Sequence, residues 1–156
     1  MRVLVDTNIV LDVLLNRTEF LELFSTVLKR LWERRYHGFV AATTLTNIYF
    51  IVRRATRKTE DAMMAVDKTL QWCEVAPVNR KVLDTAKNSN MQDFEDAVQA
   101  AAARDIGIDV VVTRDKAGFK TPVYGCTQRE NFWRRFRRAV DIRIIQAHRG
   151  ISAGCN

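Results

Sequence analysis

Acidic residues that could hold a metal ion stand at three places in this chain. They are Asp6, Asp93, Glu95, Asp96 and Asp115. Carboxylate oxygens are the preferred ligands of hard cations such as Mg²⁺ and Mn²⁺, and two carboxylates per ion leave room for water and a phosphate group. Carboxylates that converge repel one another unless a cation offsets their charge. If the fold brings these side chains together, a metal site is the favoured interpretation.

Each carboxylate also has an ordinary structural interpretation. Asp6 could cap the turn that follows it, and Asp115 could be a turn residue. Asp93 and Asp96 could cap a helix and favour the positive end of its dipole. These two residues are three apart and would share a helical face, whereas we expect Glu95 to point elsewhere.

Strands are predicted directly before two of these acidic positions. Residues 2–5 form a short apolar strand that ends at Asp6. Residues 109–112 form the clearest strand of the chain, and Thr113 to Asp115 follow it. Ligands of parallel sheets bind beyond the carboxyl ends of the strands, so both positions suit a binding site.

The remaining pattern alternates short apolar strands with longer amphipathic helices. It predicts an α/β protein with a parallel sheet covered by helices on both faces. The other predicted strands are residues 38–42 and an edge strand within 73–78 that contains Pro77. The predicted helices are residues 9–15, a stretch through Phe20, Phe24, Val27 and Leu31, a helix capped by Thr43 or Thr44, one through Met63, Val66 and Leu70, and residues 80–87 and 93–106, the last ended by Gly107.

Length and composition indicate one ordinary globular domain. The chain has 156 residues, 47% of them hydrophobic, and a formal net charge of +7 that favours a polyanionic partner. Three cysteines without paired spacing support neither a disulfide framework nor a zinc site. The opening apolar run is too short for a signal peptide, and no stretch approaches membrane-spanning length, so we expect a soluble cytoplasmic protein.

Three sequence blocks follow one another over roughly residues 1–120: Val3-Leu4-Val5-Asp6-Thr7-Asn8, then Asp96-Ala97 opening an alanine-rich helix, and Val112-Thr113-Arg114-Asp115 with Phe119. In type and order these blocks resemble the PIN-domain family, and among its members the VapC-type toxins. The resemblance implies a three-layer PIN-like fold with a short central parallel sheet of four to five strands flanked by helices on both faces.

The resemblance also implies an activity and a set of site residues. The family's VapC-type members are Mg²⁺- or Mn²⁺-dependent endoribonucleases that are paired with a small antitoxin and are often homodimers. Asp6, Asp96 and Asp115 would be catalytic metal ligands, with Asp93 as an added ligand. Thr7, Asn8 and Thr113 would orient these carboxylates or the attacking water through hydrogen bonds.

Asn47 departs from the family pattern, which often has another acidic residue on this helix. Asparagine is neutral and a weaker ligand, although it could hold a metal-bound water. We therefore expect one well-held metal ion. The hypothesised reaction is hydrolysis of an RNA phosphodiester by a metal-activated water, in which neither His37 nor His148 is assigned a role.

The C-terminal region is markedly basic. Residues 121–156 contain seven Arg, one Glu and one Asp, which accounts for +5 of the net charge. We expect residues 1–124 to form the PIN-like nuclease domain and residues 125–156 a basic amphipathic extension, with a helix over about 128–147 and a loose end. Arg134, Arg135, Arg137 and Arg138 could bind the RNA backbone, or they could form a solvated face while Phe132 and Phe136 pack on the domain.

Other functions remain open at this point. A catalytically inactive PIN-like module that binds RNA or protein would explain Asn47 and the basic extension. A haloacid-dehalogenase-type phosphatase needs a second Asp where Asn8 stands. A phospho-receiver could use Asp6, Thr113 and Lys116, but it needs a phosphoacceptor Asp after a middle strand, and residues 41–43 contain none.

Overall fold

The structure is a computed structural model that describes residues 2–17, 29, 33 and 36–113, together with the backbone of residues 143–146. In these residues, five strands form one sheet: β1 (Arg2–Val5), β2 (His37–Ala41), β3 (Glu74–Ala76), β4 (Val110–Thr113) and β5 (Arg143–Gln146). The helices that the structure describes are α1 (Thr7–Leu14), α2 (Ala42–Thr56), α3 (Thr59–Trp72), α4 (Arg80–Lys87) and α5 (Phe94–Asp105). None of the helices in these residues is long and apolar enough to cross a membrane.

The sheet has the strand order β3-β2-β1-β4-β5. Strands β1 to β4 pair in parallel, and β5 pairs antiparallel with β4. The chain moves outward from β1 through β2 to β3 and then returns to the other side of β1 as β4. This change of direction opens a crevice at the carboxyl ends of β1 and β4, which is where open α/β sheets bind ligands.

Successive side chains of each strand point to opposite faces of the sheet, so the sheet has one hydrophobic core on each face. Val3 and Val5 point into a cluster with α1, α2 and α3, whereas Leu4 points into a second cluster with α4 and α5. Helix α5 packs through small residues such as Ala97, Ala101 and Ala102, which let the helix lie close to the sheet. The predicted three-layer α/β fold with a short parallel sheet is confirmed.

Two helix ends can be compared directly with the sequence predictions. Helix α5 starts at the Asp93 cap and stops before Gly107, whose φ of 68° is in the region that favours glycine, as predicted. Helix α2 instead starts immediately after β2 with Ala41 at its N-cap, so the predicted cap at Thr43 or Thr44 was wrong. The strand runs directly into the helix there, which leaves Thr44 inside the first turn and buried.

The C-terminal prediction also needs a correction. We expected a helix over about 128–147, but residues 143–146 form β5, which adds a strand to the sheet through hydrogen bonds with β4. In this segment two apolar residues, Ile144 and Ile145, lie between two polar ones, a pattern that fits both helical and strand periodicity. Pairing with the edge of β4 favours the strand. The rest of the predicted extension lies outside the described residues, as do Asp115, the four arginines at 134–138 and nearly all of the predicted helix through Phe20 and Leu31.

Candidate active site

Asp6 lies at the carboxyl end of β1 and is only 1% exposed. Its Oδ1 accepts a hydrogen bond from Nε2 of Gln99 at 3.0 Å, and its Oδ2 accepts one from Oγ1 of Thr113 at 2.7 Å. The Asp6 side chain makes no capping bond to α1, so the capping interpretation of this residue is wrong. Both carboxylate oxygens are instead held in fixed positions by side chains from α5 and β4.

The backbone around Asp6 explains how the site is assembled. The Asp6 N–H donates to the carbonyl oxygen of Val112 at 3.0 Å, which continues the β1–β4 pairing by one residue. The Asp6 carbonyl oxygen accepts from the N–H groups of Ile9 and Val10 and starts α1. Asp6 and Thr113 therefore meet because β1 and β4 are neighbours that end at the same edge of the sheet.

Gln99 is a buried amide in the alanine-rich helix α5, and sequence reasoning missed it. Its Nε2 donates to Asp6, while its Oε1 is buried without a hydrogen-bond partner among the described residues. Because a buried, unpaired amide oxygen costs about 1–3 kcal/mol, such an atom needs an explanation. The available signal was its position three residues after Asp96, which places both side chains on one face of the helix.

Thr7, directly after Asp6, connects three elements. Its Oγ1 lies 3.1 Å from Oγ1 of Thr44 in the first turn of α2 and 3.0 Å from Oε1 of Glu95 in the first turn of α5. The single hydroxyl proton of Thr7 can serve the Glu95 carboxylate while Thr44 donates to Thr7. The prediction that Glu95 points elsewhere was therefore wrong: its carboxylate faces the residue beside Asp6.

Asp93 and Asp96 occupy the start of α5. Oδ1 of Asp93 accepts from the backbone N–H of Asp96 at 3.0 Å, so the predicted helix-cap interpretation of Asp93 is confirmed. Asp93 is exposed, whereas Asp96 is 8% exposed and lies on the buried face of the helix with Gln99. Helix α5, which contacts Asp6 through Gln99, thus carries a second buried carboxylate.

The structure describes only part of the predicted set of metal ligands. Among the described residues, no three carboxylate, cysteine or histidine side chains are close enough together to hold a metal ion. Asp115, two positions after Thr113, lies outside them. The roles of Asp6, Asp93, Asp96 and Asp115 as metal ligands thus stay predictions.

Asn8 and Asn47 are half-buried, on the first turn of α1 and the second turn of α2. Both helices begin at the carboxyl edge of the sheet, Asn8 two residues after Asp6 and Asn47 three residues after Thr44. Their predicted roles in orienting water or carboxylates stay predictions, as does the orienting role of Thr113, which the structure places in contact with Asp6.

The sequence model of the PIN domain family matches residues 2–117 of this chain. No curated protein sequence matches it. Among solved structures, it is similar to VapBC2 from Rickettsia felis bound to a promoter DNA fragment, with 15% identity and a TM-score of 0.56 over 74% of this chain and 89% of that one. It is also similar to Mycobacterium tuberculosis VapC20, described as a sarcin–ricin loop cleaving toxin, with 19% identity and a TM-score of 0.54 over 69% of this chain and 85% of that one.

Proposed function

Because this chain belongs to the PIN domain family, we propose that it is a metal-dependent endoribonuclease and the toxin of a toxin–antitoxin pair. The observation that carries the proposal is the Asp6 carboxylate, buried at the topological crevice and held by Gln99 and Thr113. Both donors that contact the Asp6 carboxylate are neutral side chains, so neither of them forms an ion pair with it. That arrangement suits a cation better than it suits a structural ion pair.

The residues around Asp6 fit Mg²⁺ or Mn²⁺ in chemical type. Asp6 and Asp96 supply buried carboxylates, and the unpaired Oε1 of Gln99 supplies an amide oxygen, all of which are hard oxygen donors. We propose Asp6, Asp96 and Asp115 as ligands, with Asp93 contributing an additional carboxylate. When bound, the cation lowers the pKa of a coordinated water and offsets charge on the scissile phosphate.

The side chains of this protein have separate tasks in the proposed reaction. Gln99 and Thr113 fix the two oxygens of Asp6, which limits its rotation and sets the direction of its lone pairs. Thr7 connects the first turns of α2 and α5 through Thr44 and Glu95, which maintains the width of the crevice. Hydrolysis forms a bond from the water oxygen to phosphorus, breaks the bond to the ribose oxygen, and leaves a proton on that oxygen.

The proposal extends to partners. We propose that a small antitoxin binds this protein in the cell, and the similarity to VapBC2 supports this partner. We also propose a homodimer and a cytoplasmic location, where RNA substrates are available. Co-expression with an adjacent small gene, followed by light scattering of the purified complex, tests both the partner and the subunit number.

The decisive experiment is cleavage of labelled total RNA with Mn²⁺, with and without EDTA. We expect wild-type protein to cleave only when metal is present, and Asp96→Asn to lose at least 100-fold in rate. Asp67→Asn, which makes the same chemical change on the exposed surface of α3, serves as the matched control. Equal cleavage by wild type and Asp96→Asn would overturn the mechanism, and calorimetry without Mn²⁺ binding would favour an inactive binding module.

A further inference from the structure

Helix α2 and Arg57, the residue that caps its C-terminus, present an exposed row of one aromatic and three cationic side chains, which we call the α2 basic stripe: Phe50, Arg53, Arg54 and Arg57. The spacing of i, i+3 and i+4 places Phe50, Arg53 and Arg54 on one side of the helix, and Arg57 follows at its end. The opposite side packs into the core through Ile48 and Val52. The stripe is therefore a continuous outward surface of a helix whose other side is fixed.

The charges of the stripe are not neutralised by neighbours. Within the described part of the chain, none of its three guanidinium groups forms an ion pair, and Lys58 adds a fourth exposed cation beside them. The nearest acidic residues in sequence are Glu60 and Asp61, in the first turn of α3. This end of the helix therefore carries a local excess of positive charge, although residues 1–120 as a whole carry only +2.

Helix stability alone explains only part of this surface. Cations are favoured near the negative end of the helix dipole, which accounts for arginines in the last turn. It gives no reason for the ring of Phe50, which is 68% exposed. Arg57 is also unexpected, since its φ is 62°, in the left-handed region where glycine is the usual residue at a helix end. A large side chain at a strained backbone position is a reason to look for a ligand.

The stripe belongs to the same rigid element as the candidate site. Thr44, in the first turn of α2, contacts Thr7 beside Asp6. Arg54 is ten residues further along the helix, or about 15 Å at 1.5 Å per residue. Asn47 is seven residues before Arg54 and so lies on the same side of the helix, between the crevice and the stripe. A strand of a few nucleotides spans this distance.

We propose that the α2 basic stripe binds the single-stranded RNA that flanks the scissile phosphate. Phe50 stacks on a base, and the three arginines contact the phosphates that follow it. Stacking on an aromatic ring combined with cations along the backbone is the general mode of single-strand recognition. Every base offers a planar face to Phe50, whereas an acidic protein segment offers one only where it carries an aromatic residue. This inference rests on the proposed endoribonuclease function, because it identifies the substrate path from that site.

The test measures RNA binding separately from cleavage. A fluorescein-labelled 12-nucleotide RNA is titrated in EDTA with Asp6→Asn protein, and anisotropy is read at several salt concentrations. We expect Arg53→Ala/Arg54→Ala/Arg57→Ala to weaken binding at least tenfold and to reduce the slope of log K against log salt by about 2, at roughly 0.7 per phosphate contact on a single strand. Phe50→Ala should weaken binding by roughly tenfold, and Phe50→Tyr should retain it.

A matched control removes three exposed cations from α4, on the other face of the sheet. Arg80→Ala/Lys81→Ala/Lys87→Ala has the same net charge as the stripe variant and should bind RNA with the wild-type slope. Equal affinity and equal slope for the stripe variant and its Asp6→Asn parent would overturn the proposal. The proposal would also be overturned if the stripe variant lost binding to a polyglutamate peptide but kept its affinity for RNA. The stripe would then be a binding surface for an acidic protein. If Asp6→Asn cleaves RNA in Mn²⁺ as fast as wild type does, the proposed function is wrong. The binding measurement still tests whether the stripe binds RNA.

Discussion

Gln99 and Asp6 are joined by a 3.0 Å hydrogen bond between Nε2 of the amide and Oδ1 of the carboxylate, although 93 positions separate them in sequence. The bond connects α5 to the end of β1, with Gln99 as the donor. Its Oε1, which has no hydrogen-bond partner in the part of the chain that the structure describes, lies on the same buried amide. The amide can therefore both position Asp6 and offer an acceptor to a group that enters the crevice.

Replacing the amide by a carboxylate tests this arrangement. In Gln99→Glu two buried carboxylates would face each other without a proton donor between them, so we expect unfolding in EDTA to become easier by roughly 3 kcal/mol. Mn²⁺ should restore most of that loss because a cation offsets both charges. Thermal melts with EDTA and with Mn²⁺ measure the effect, and the metal-induced rise in Tm should exceed that of wild type.

Gln71→Glu is the control for this variant, since it makes the same substitution at an exposed position of α3. Its melting temperature should remain near that of wild type in both buffers. A Gln99→Glu protein that melts like wild type in EDTA would show that the amide does not face the Asp6 carboxylate.

Substitution of Thr113 tests the second hydrogen bond to the Asp6 carboxylate. Thr113→Val keeps the shape but removes the hydroxyl that donates to Oδ2, and we expect a loss of about 1.5–3 kcal/mol, as for hydrogen bonds to charged groups. Thr113→Ser keeps the hydroxyl and should lose less. Urea unfolding of the three proteins measures the difference. Equal destabilisation by Val and Ser would mean that packing, and not the hydrogen bond, explains the result.

Asp93 combines a helix cap with a predicted metal ligand, and two substitutions separate these roles. Asp93→Ala should destabilise the protein by about 1 kcal/mol because the Asp96 N–H loses its acceptor. Asp93→Asn keeps the cap, so its stability should match wild type while its Mn²⁺ affinity falls. Calorimetry with Mn²⁺ provides the measurement, and unchanged affinity in Asp93→Asn would leave this residue as a cap alone.

Cys73 provides a pH-dependent prediction away from the site. Burial raises the pKa of its thiol from 9.0 to about 12, so the folded protein retains a proton that the unfolded chain loses. This contribution to stability is complete below pH 9 and falls by about 1.4 kcal/mol for each pH unit above it, until the folded thiol itself ionises. Urea unfolding at pH 8 and pH 10 in reducing buffer should show a steeper decline for wild type than for Cys73→Ala. Parallel declines would contradict the pKa shift.

The parts of the fold that follow local patterns could be predicted from sequence. The apolar run before Asp6 and the one before Thr113 identified two strands that end at the same edge, and the PIN-domain resemblance carried by these blocks is confirmed by the family match. Gly107 likewise marked the end of α5, because a positive φ at a helix end is a local requirement.

The remainder depends on contacts between distant segments. Gln99 looked like one polar residue among alanines until β1 supplied Asp6 as its partner. Glu95 was misjudged because helical spacing gives its angle relative to Asp96 but not the position of Thr7. Residues 143–146 were assigned to a helix because Ile144 continues the i+4 spacing of Phe132, Phe136 and Val140, but pairing with β4 makes them a strand.

The hydrogen bond from Thr113 to Asp6 spans 107 positions of the chain. During synthesis, β1, α1 and β2 can form early, but the crevice is incomplete until β4 is available to pair with β1. A nascent chain that stops before Thr113 therefore lacks both the strand and the hydroxyl that hold Asp6. If the protein is a toxin, the ribosome that makes it is exposed to a competent nuclease only after Thr113 has been translated.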